Sequence, residues 1–128
     1  MINFSIKFRT GVPAYEQVVY AVKKSIVSGQ LKPGDSFPSV RELSKELRIN
    51  PNTAQKIVTH LVRENLLEIK PGVGSIVSEL TKATKLQRDE ILDAEVEKLV
   101  VEAKRLLIKK NDIHDAVDAH WQSDKKEG

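Results

Sequence analysis

Two helix-start signals lie close together in the middle of this 128-residue chain, in the stretch FPSVRELSKELRINPNTAQK. The first is the capping-box spacing of Ser39 and Glu42, directly after a proline that cannot extend a helix backwards. The second is Asn50 followed by Pro51, a capping side chain with proline at the first helical position, where its missing N–H costs nothing. The stretch therefore predicts two short helices that meet at a tight corner.

Apolar spacing gives each of these helices a buried face. In the second helix, Ala54, Ile57 and Leu61 recur at three and four residues. The opposite face is polar and consists of Asn52, Gln55, Lys56 and Thr59. Side chains of this kind suit base edges and phosphates, so the second helix is predicted to enter a DNA major groove.

The segments before this pair predict a scaffold. Residues 2–9 alternate between apolar and polar side chains, which is typical of a half-buried strand or an extended arm across a hydrophobic surface. A helix with an apolar face is expected from about Tyr15 until Gly29 stops it. Residues 31–38 contain Pro33 and Gly34 and predict a turn, with Leu31 and Phe37 anchored in the core.

A two-stranded wing is predicted after the helix pair. Residues 66–70 and 75–77 are strand-like, and Pro71-Gly72-Val73-Gly74 separates them. Two glycines within three residues allow a sharp turn and remove side chains that would keep the tip from a groove or a phosphate row.

The last fifty residues have a helical pattern. Leu92, Val96, Leu99, Ala103 and Leu106 are spaced four, three, four and three, and we call this set the tail stripe. A helix of about thirty residues from Glu79 cannot bury such a stripe on a small domain alone, so the stripe predicts a dimer seam. After a break at Asn111-Asp112, Ile113, Val117 and Trp121 predict a short helix folded back against the long one.

Composition and charge set the limits. Cysteine is absent, which excludes disulfides, thiolate nucleophiles and cysteine-ligated metal. Without a signal peptide or an apolar run of about 20 residues, we expect a cytoplasmic protein with no membrane partner. Residues 1–78 carry 11 Lys and Arg against 6 Asp and Glu, whereas residues 79–128 carry 10 against 12. Only the first part is therefore expected to meet a polyanion.

The predicted fold is mainly α with a small β wing. A winged helix-turn-helix DNA-binding domain occupies residues 1–78, and a helical dimerisation region occupies residues 79–128. The stretch PGDSFPSVRELSKELRINPNTAQKIVTHLVRENLLEIKPGVGSIV resembles the N-terminal domain of GntR-type transcription regulators, and the short helical tail resembles the YtrA-type branch.

This resemblance implies a homodimer that binds a pseudo-palindromic DNA operator, most simply as a repressor. The base-reading arginine of the family falls on Arg41, and its wing tip falls on Pro71, Gly72 and Val73, beside Lys70. Many relatives carry basic residues where this chain has Pro51 and Gln55, so guanine recognition is expected to rest on Arg41. The further DNA contacts implied are Ser39, Asn50, Asn52, Thr53, Gln55 and Lys56.

Other functions have less support in the sequence. The main alternative is a winged-helix module that joins a protein complex without reading DNA, but such a module would not need the glycine pair beside Lys70. A small hydrolase or metalloenzyme would rest on little more than His114 and Asp118, spaced one helical turn apart. We therefore expect no enzyme activity, no cofactor and no metal, and the sequence identifies no small-molecule effector.

Overall fold

The computed structural model describes residues 2–127, with side chains as far as residue 123. The chain divides into two compact units, of which the first ends at Leu80 and the second comprises Thr81–Lys126. The first unit contains α1 (Ala14–Ser28), α2 (Val40–Leu47), α3 (Pro51–Arg63), β1 (Leu67–Lys70) and β2 (Gly74–Val77). The second contains α4 (Lys85–Asp89), a π-helical segment (Glu90–Glu95), α5 (Val96–Arg105) and α6 (Lys110–Glu127). The mainly helical fold with a small wing is thus confirmed.

A single core holds the first unit together. It is formed by one face each of α1 and α3, to which α2 and the wing add Leu43, Leu67 and Val77. These side chains are almost completely buried because the apolar residues of each helix recur at three and four residues. Gly29 ends α1 in the left-handed conformation, with φ of 88°, as its sequence position predicts.

The N-terminal segment forms an extended arm rather than a strand. Phe4 is buried and stacks on Phe37, with ring centroids 5.7 Å apart. The Gln17 side chain fixes the end of the arm, because it accepts a hydrogen bond from the Arg9 N–H at 2.7 Å and donates to the Arg9 carbonyl at 3.0 Å. Phe8 is exposed, so the predicted alternation fails there.

The wing is an antiparallel hairpin whose register pairs Leu67 with Val77 and Lys70 with Gly74. The segment predicted as a turn before α2 also pairs with it: the Phe37 N–H donates to the Ser75 carbonyl at 2.9 Å, and the Val77 N–H donates to the Asp35 carbonyl at 2.8 Å. Ser36 forms a β-bridge with Ile76. The chain entering α2 is therefore hydrogen-bonded to the wing, which the sequence did not predict.

The second unit corrects three expectations. The predicted helix of about thirty residues from Glu79 is wrong, because helix begins only at Lys85, where Thr84 and Gln87 form a capping box. From there α4, the π-helical segment and α5 run on without a break to Arg105, about 30 Å at 1.5 Å per residue. The break also lies earlier than Asn111, since Leu107 adopts φ of 59° and α6 starts at Lys110.

The third correction concerns α6, which is 18 residues long rather than short. Trp121 is 71% exposed and Val117 is 47% exposed, so neither anchors α6 against the preceding helix within the chain. Ala103 is buried and Ile113 is half-buried, both close to the turn between α5 and α6. In the part of the chain that the structure describes, no helix combines the length and apolarity needed to cross a membrane.

Candidate nucleic-acid interface

The start of α2 has the geometry that its sequence predicts. The Glu42 N–H donates to Ser39 Oγ at 3.1 Å, and the Ser39 N–H donates to Glu42 Oε1 at 3.1 Å, which completes the capping box. The hydrogen bond from the Ser39 backbone, followed by that from the Ser39 side chain, lowers the pKa of Glu42 and favours its ionised form. Because the cap fixes the first turn, Arg41 leaves the helix at a defined position and is exposed.

The start of α3 is capped in the same way. Asn50 Oδ1 accepts a hydrogen bond from the Asn52 N–H at 2.7 Å, and Pro51 occupies the first turn. The cap consumes the acceptor of Asn50 but leaves its amide N–H groups available for an anion. The first helical turns also carry the positive end of the helix dipole, which favours contact with phosphate.

The polar face of α3 lies open to solvent. Asn52, Gln55 and Lys56 are exposed, whereas Thr53 is half-buried. Gln55 Nε2 donates a hydrogen bond to Thr59 Oγ1 at 3.2 Å, one turn along the same face. The polar pattern of α3 places Thr59 on this face but assigns it no role, since the i, i+4 spacing of an amide and a hydroxyl allows this contact without specifying it.

The wing tip is formed by Pro71, Gly72 and Val73, all of them exposed. Gly72 and Gly74 have φ of 78° and 110°, which only glycine adopts readily, so the tight turn explains the glycine pair. No atom lies within 4 Å of where a side chain of Gly72 would begin, so its backbone can approach a surface closely. Lys70 beside the tip lies 4.0 Å from Glu68 Oε1, a loose surface pair.

Arg41 and Lys56 keep their charge available. Between described residues, ion pairs engage neither of them; the pairs in this unit involve Lys23, His60 and Lys70 instead. Within the same described part of the chain, no three His, Asp or Glu side chains come together as a metal site would require. The face formed by the starts of α2 and α3 is therefore suited to an extended polyanion.

The tail stripe is mostly uncovered in the isolated chain. Leu92, Val96, Leu99 and Leu106 are between 42% and 54% exposed, whereas Ala103 is 7% exposed. Exposure of this kind along one helix face is typical of interaction surfaces.

Comparison with known proteins identifies the first unit. The family described as "Bacterial regulatory proteins, gntR family" matches residues 14–77, from the start of α1 to the end of β2. The HTH-type transcriptional repressor YtrA of Bacillus subtilis (strain 168) is 35% identical over 113 residues, which cover 88% of this chain and 75% of the relative.

Solved structures agree with this match. The crystal structure of a transcriptional antiterminator from Listeria monocytogenes EGD-e superposes with a TM-score of 0.81 at 25% identity and covers 94% of this chain and 91% of that one. The DNA-binding domain of AraR, solved in complex with operator ORX1, shares the fold with a TM-score of 0.51 at 24% identity, over 61% of this chain and all of that one. The chain belongs to the gntR family of bacterial regulatory proteins, in its YtrA-type branch, and is a DNA-binding transcriptional regulator rather than an enzyme.

Proposed function

We propose that this regulator is a repressor that binds a pseudo-palindromic operator as a homodimer, with one winged domain on each half-site. The observation that carries the proposal is the exposed face at the capped starts of α2 and α3, where Arg41, Asn52, Gln55 and Lys56 lie open to solvent in a unit that also carries a glycine wing. The fold is that of the AraR DNA-binding domain, which was solved on an operator, and this likeness supports the same use of the face.

The side chains on this face divide into base readers and phosphate contacts. Arg41 is assigned to a guanine, because a guanidinium donates two hydrogen bonds to O6 and N7. Asn52 and Gln55 are assigned to base edges on which an amide can donate and accept. Phosphate contacts are assigned to the helix starts and to the wing, namely Ser39, Asn50, Thr53, Lys56, Lys70, Pro71 and Gly72.

Dimerisation is assigned to residues 79–128, through the tail stripe. Four large apolar side chains of the stripe are exposed to water in the isolated chain, which is unfavourable. Their burial in an assembly would stabilise it by about 25 cal/mol per Å² of apolar surface removed from water. A two-fold seam places the same stripe of each copy against the other, and it carries two winged domains to one DNA site. Pairing of two weakly bound domains on one operator raises the affinity without new contacts.

Repression follows from occupancy of the operator. The effect of such a regulator on a promoter depends on the DNA that it covers. The Bacillus subtilis relative YtrA is named as a repressor, which supports the same sense of regulation for this chain.

Footprinting of the DNA upstream of the protein's own gene tests the proposal. We expect two protected half-sites related by two-fold symmetry, with centres about one helical turn of DNA or a multiple of it apart. Protection of a single half-site, or uniform protection along the whole DNA, would contradict a dimer on an operator.

A further inference from the structure

Thr59 holds the side chain of Gln55 on the exposed face of α3. The two residues lie one helical turn apart, both are exposed, and Gln55 Nε2 donates to Thr59 Oγ1 at 3.2 Å. Val58, next to Thr59 in sequence, turns toward the core and is 6% exposed. Neither side chain is needed to fill the core, so the pair is free to serve the surface that it faces.

The bond restricts what the Gln55 amide can offer to a base. A glutamine amide has two N–H donors and one carbonyl acceptor. With one N–H given to Thr59, one donor and one acceptor remain. We propose that Thr59 is a positioning residue that presents Gln55 as a donor–acceptor pair and thereby makes Gln55 select adenine over guanine in the operator.

The chemistry of the major groove gives this preference its direction. Adenine shows an acceptor at N7 and a donor at N6, which match one amide N–H and the amide carbonyl. Guanine shows two acceptors, N7 and O6, so the Gln55 carbonyl would face the O6 oxygen while the second N–H stays with Thr59. Guanine is then accepted only if the bond to Thr59 breaks.

Gln55 and Asn52 differ in how their side-chain amides are held. Asn52 has its backbone N–H bonded to Asn50, but no hydrogen bond between described residues holds its side-chain amide. A free amide can give both of its N–H groups to guanine, or one N–H and its carbonyl to adenine, so it discriminates less between purines. The preference for adenine is therefore assigned to Gln55 together with its hydrogen bond to Thr59.

This inference rests on the proposed function, because it requires that the chain read an operator. Its test is a selection from a randomised DNA duplex library with the full chain, compared with the variants Gln55→Ala, Thr59→Val and Thr59→Ser. Valine has nearly the shape of threonine but lacks the hydroxyl, whereas serine retains the acceptor. Thermal unfolding of each variant verifies that it folds like the unmodified protein.

We expect the unmodified protein to enrich a motif with an adenine, in each half-site, whose preference Gln55→Ala removes. Thr59→Val should lower the ratio of adenine to guanine at that position about tenfold, while Thr59→Ser leaves it nearly unchanged and all other positions stay as they were. An unaltered ratio in Thr59→Val, or a Gln55-dependent position that prefers another base, overturns the positioning role while the operator reading stands. No enriched motif with the unmodified protein overturns the proposed function, and with it this inference.

Discussion

Ser39 and Asn50 show how single side chains hold a binding face in place. Each uses an oxygen to cap a helix, and the residues that follow, Arg41 and Asn52, are thereby fixed at the first turn. Both caps were predicted from the sequence, because a cap depends on residues at most three positions away. The Thr59 contact was not predicted, since spacing alone does not show which side chain an exposed glutamine will meet.

Replacing Arg41 with alanine should remove recognition of one base pair in each half-site. We expect a loss of about 1–3 kcal/mol in discrimination at that position, because a bidentate contact to guanine disappears. Fluorescence anisotropy with operator duplexes that differ at single base pairs measures the loss.

Arg63→Ala is the matched control for Arg41→Ala. Arg63 is also exposed but lies at the end of α3, away from the capped helix starts, so its loss removes the same charge from the same unit. Equal discrimination by Arg41→Ala and the unmodified protein would show that Arg41 does not read a base.

Replacing Ser39 with alanine should destabilise the first unit. Loss of the hydrogen bond from the Glu42 N–H leaves an unsatisfied donor at the start of α2 and costs about 1 kcal/mol. Urea unfolding followed by circular dichroism measures the free energy, and Ser39→Asp, which keeps an acceptor at the cap, should restore most of it. A stability equal to that of the unmodified protein would mean that the cap contributes nothing.

At the scale of secondary structure, locally specified features were predicted and non-local ones were not. The bounds of α2 and α3 and the glycine hairpin follow from caps, proline and glycine within a few residues. Pairing of residues 34–37 with β2 was missed, because it joins segments about forty residues apart by backbone hydrogen bonds that carry no side-chain pattern. It connects the approach to α2 with the wing and so holds these two elements together.

The tail shows the same limit of sequence patterns. Apolar spacing predicted helix over this region but gave no information on the π-helical turn at Glu90–Glu95. A π-helical turn differs from an α-helical turn in its backbone hydrogen bonds, which join residues five apart instead of four, and it requires no particular residue types. The late start at Lys85 did have a signal, since Thr84 and Gln87 have the spacing of a capping box. The stop at Leu107 had none, because leucine rarely adopts positive φ.

A charged cluster between α1 and α3 makes the stability of the first unit depend on pH. Partial burial of Glu64 would raise its pKa, but the hydrogen bond and the charge of Lys23, at 2.9 Å, together with His60, lower it below 4.5. A carboxylate with a lowered pKa stabilises the folded state above its unfolded-state pKa, and this stabilisation is lost as the pH falls through the folded-state value.

Glu64→Gln should therefore reduce the free energy of unfolding at neutral pH. The free energy of unfolding of this variant should also fall less steeply than that of the unmodified protein as the pH is lowered into the acid range. The difference between the unmodified protein and Glu64→Gln should shrink as the pH falls below 4.5. Urea unfolding at a series of pH values measures it, and Lys23→Gln should show a similar pH dependence. A difference that stays constant down to acid pH would contradict the assignment to Glu64.

At the scale of the whole molecule, the two units differ in charge and in the residues that they expose. The first carries the net positive charge and the exposed polar residues that we assign to DNA contact, and the second carries the exposed tail stripe. The second unit, Thr81–Lys126, consists of helices joined by short turns. In the proposed dimer, assembly through this tail brings two copies of the DNA-reading face together, related by two-fold symmetry.

Leu99→Asp should prevent formation of the proposed dimer and weaken operator binding. A carboxylate in the seam would have to be buried next to its symmetry mate, which strongly disfavours association. Sedimentation velocity measures the assembly state.

Val101→Asp is the control for Leu99→Asp. Val101 is 57% exposed and lies two residues further along α5, about 200° around the helix and so on the opposite face. The Val101→Asp variant should therefore stay dimeric. Dimers with Leu99→Asp, or monomers with the unmodified protein, would contradict the assigned seam.

We propose that this chain reads one DNA sequence through a positively charged face. The direct measurement is an anisotropy titration against labelled DNA from upstream of its own gene, at about 50 and about 200 mM salt, with unrelated DNA as competitor. We predict that the chain binds the upstream DNA more tightly than the unrelated DNA, and that both affinities fall steeply between the two salt concentrations. Equal affinity for the two DNAs at both salt concentrations would contradict the claim.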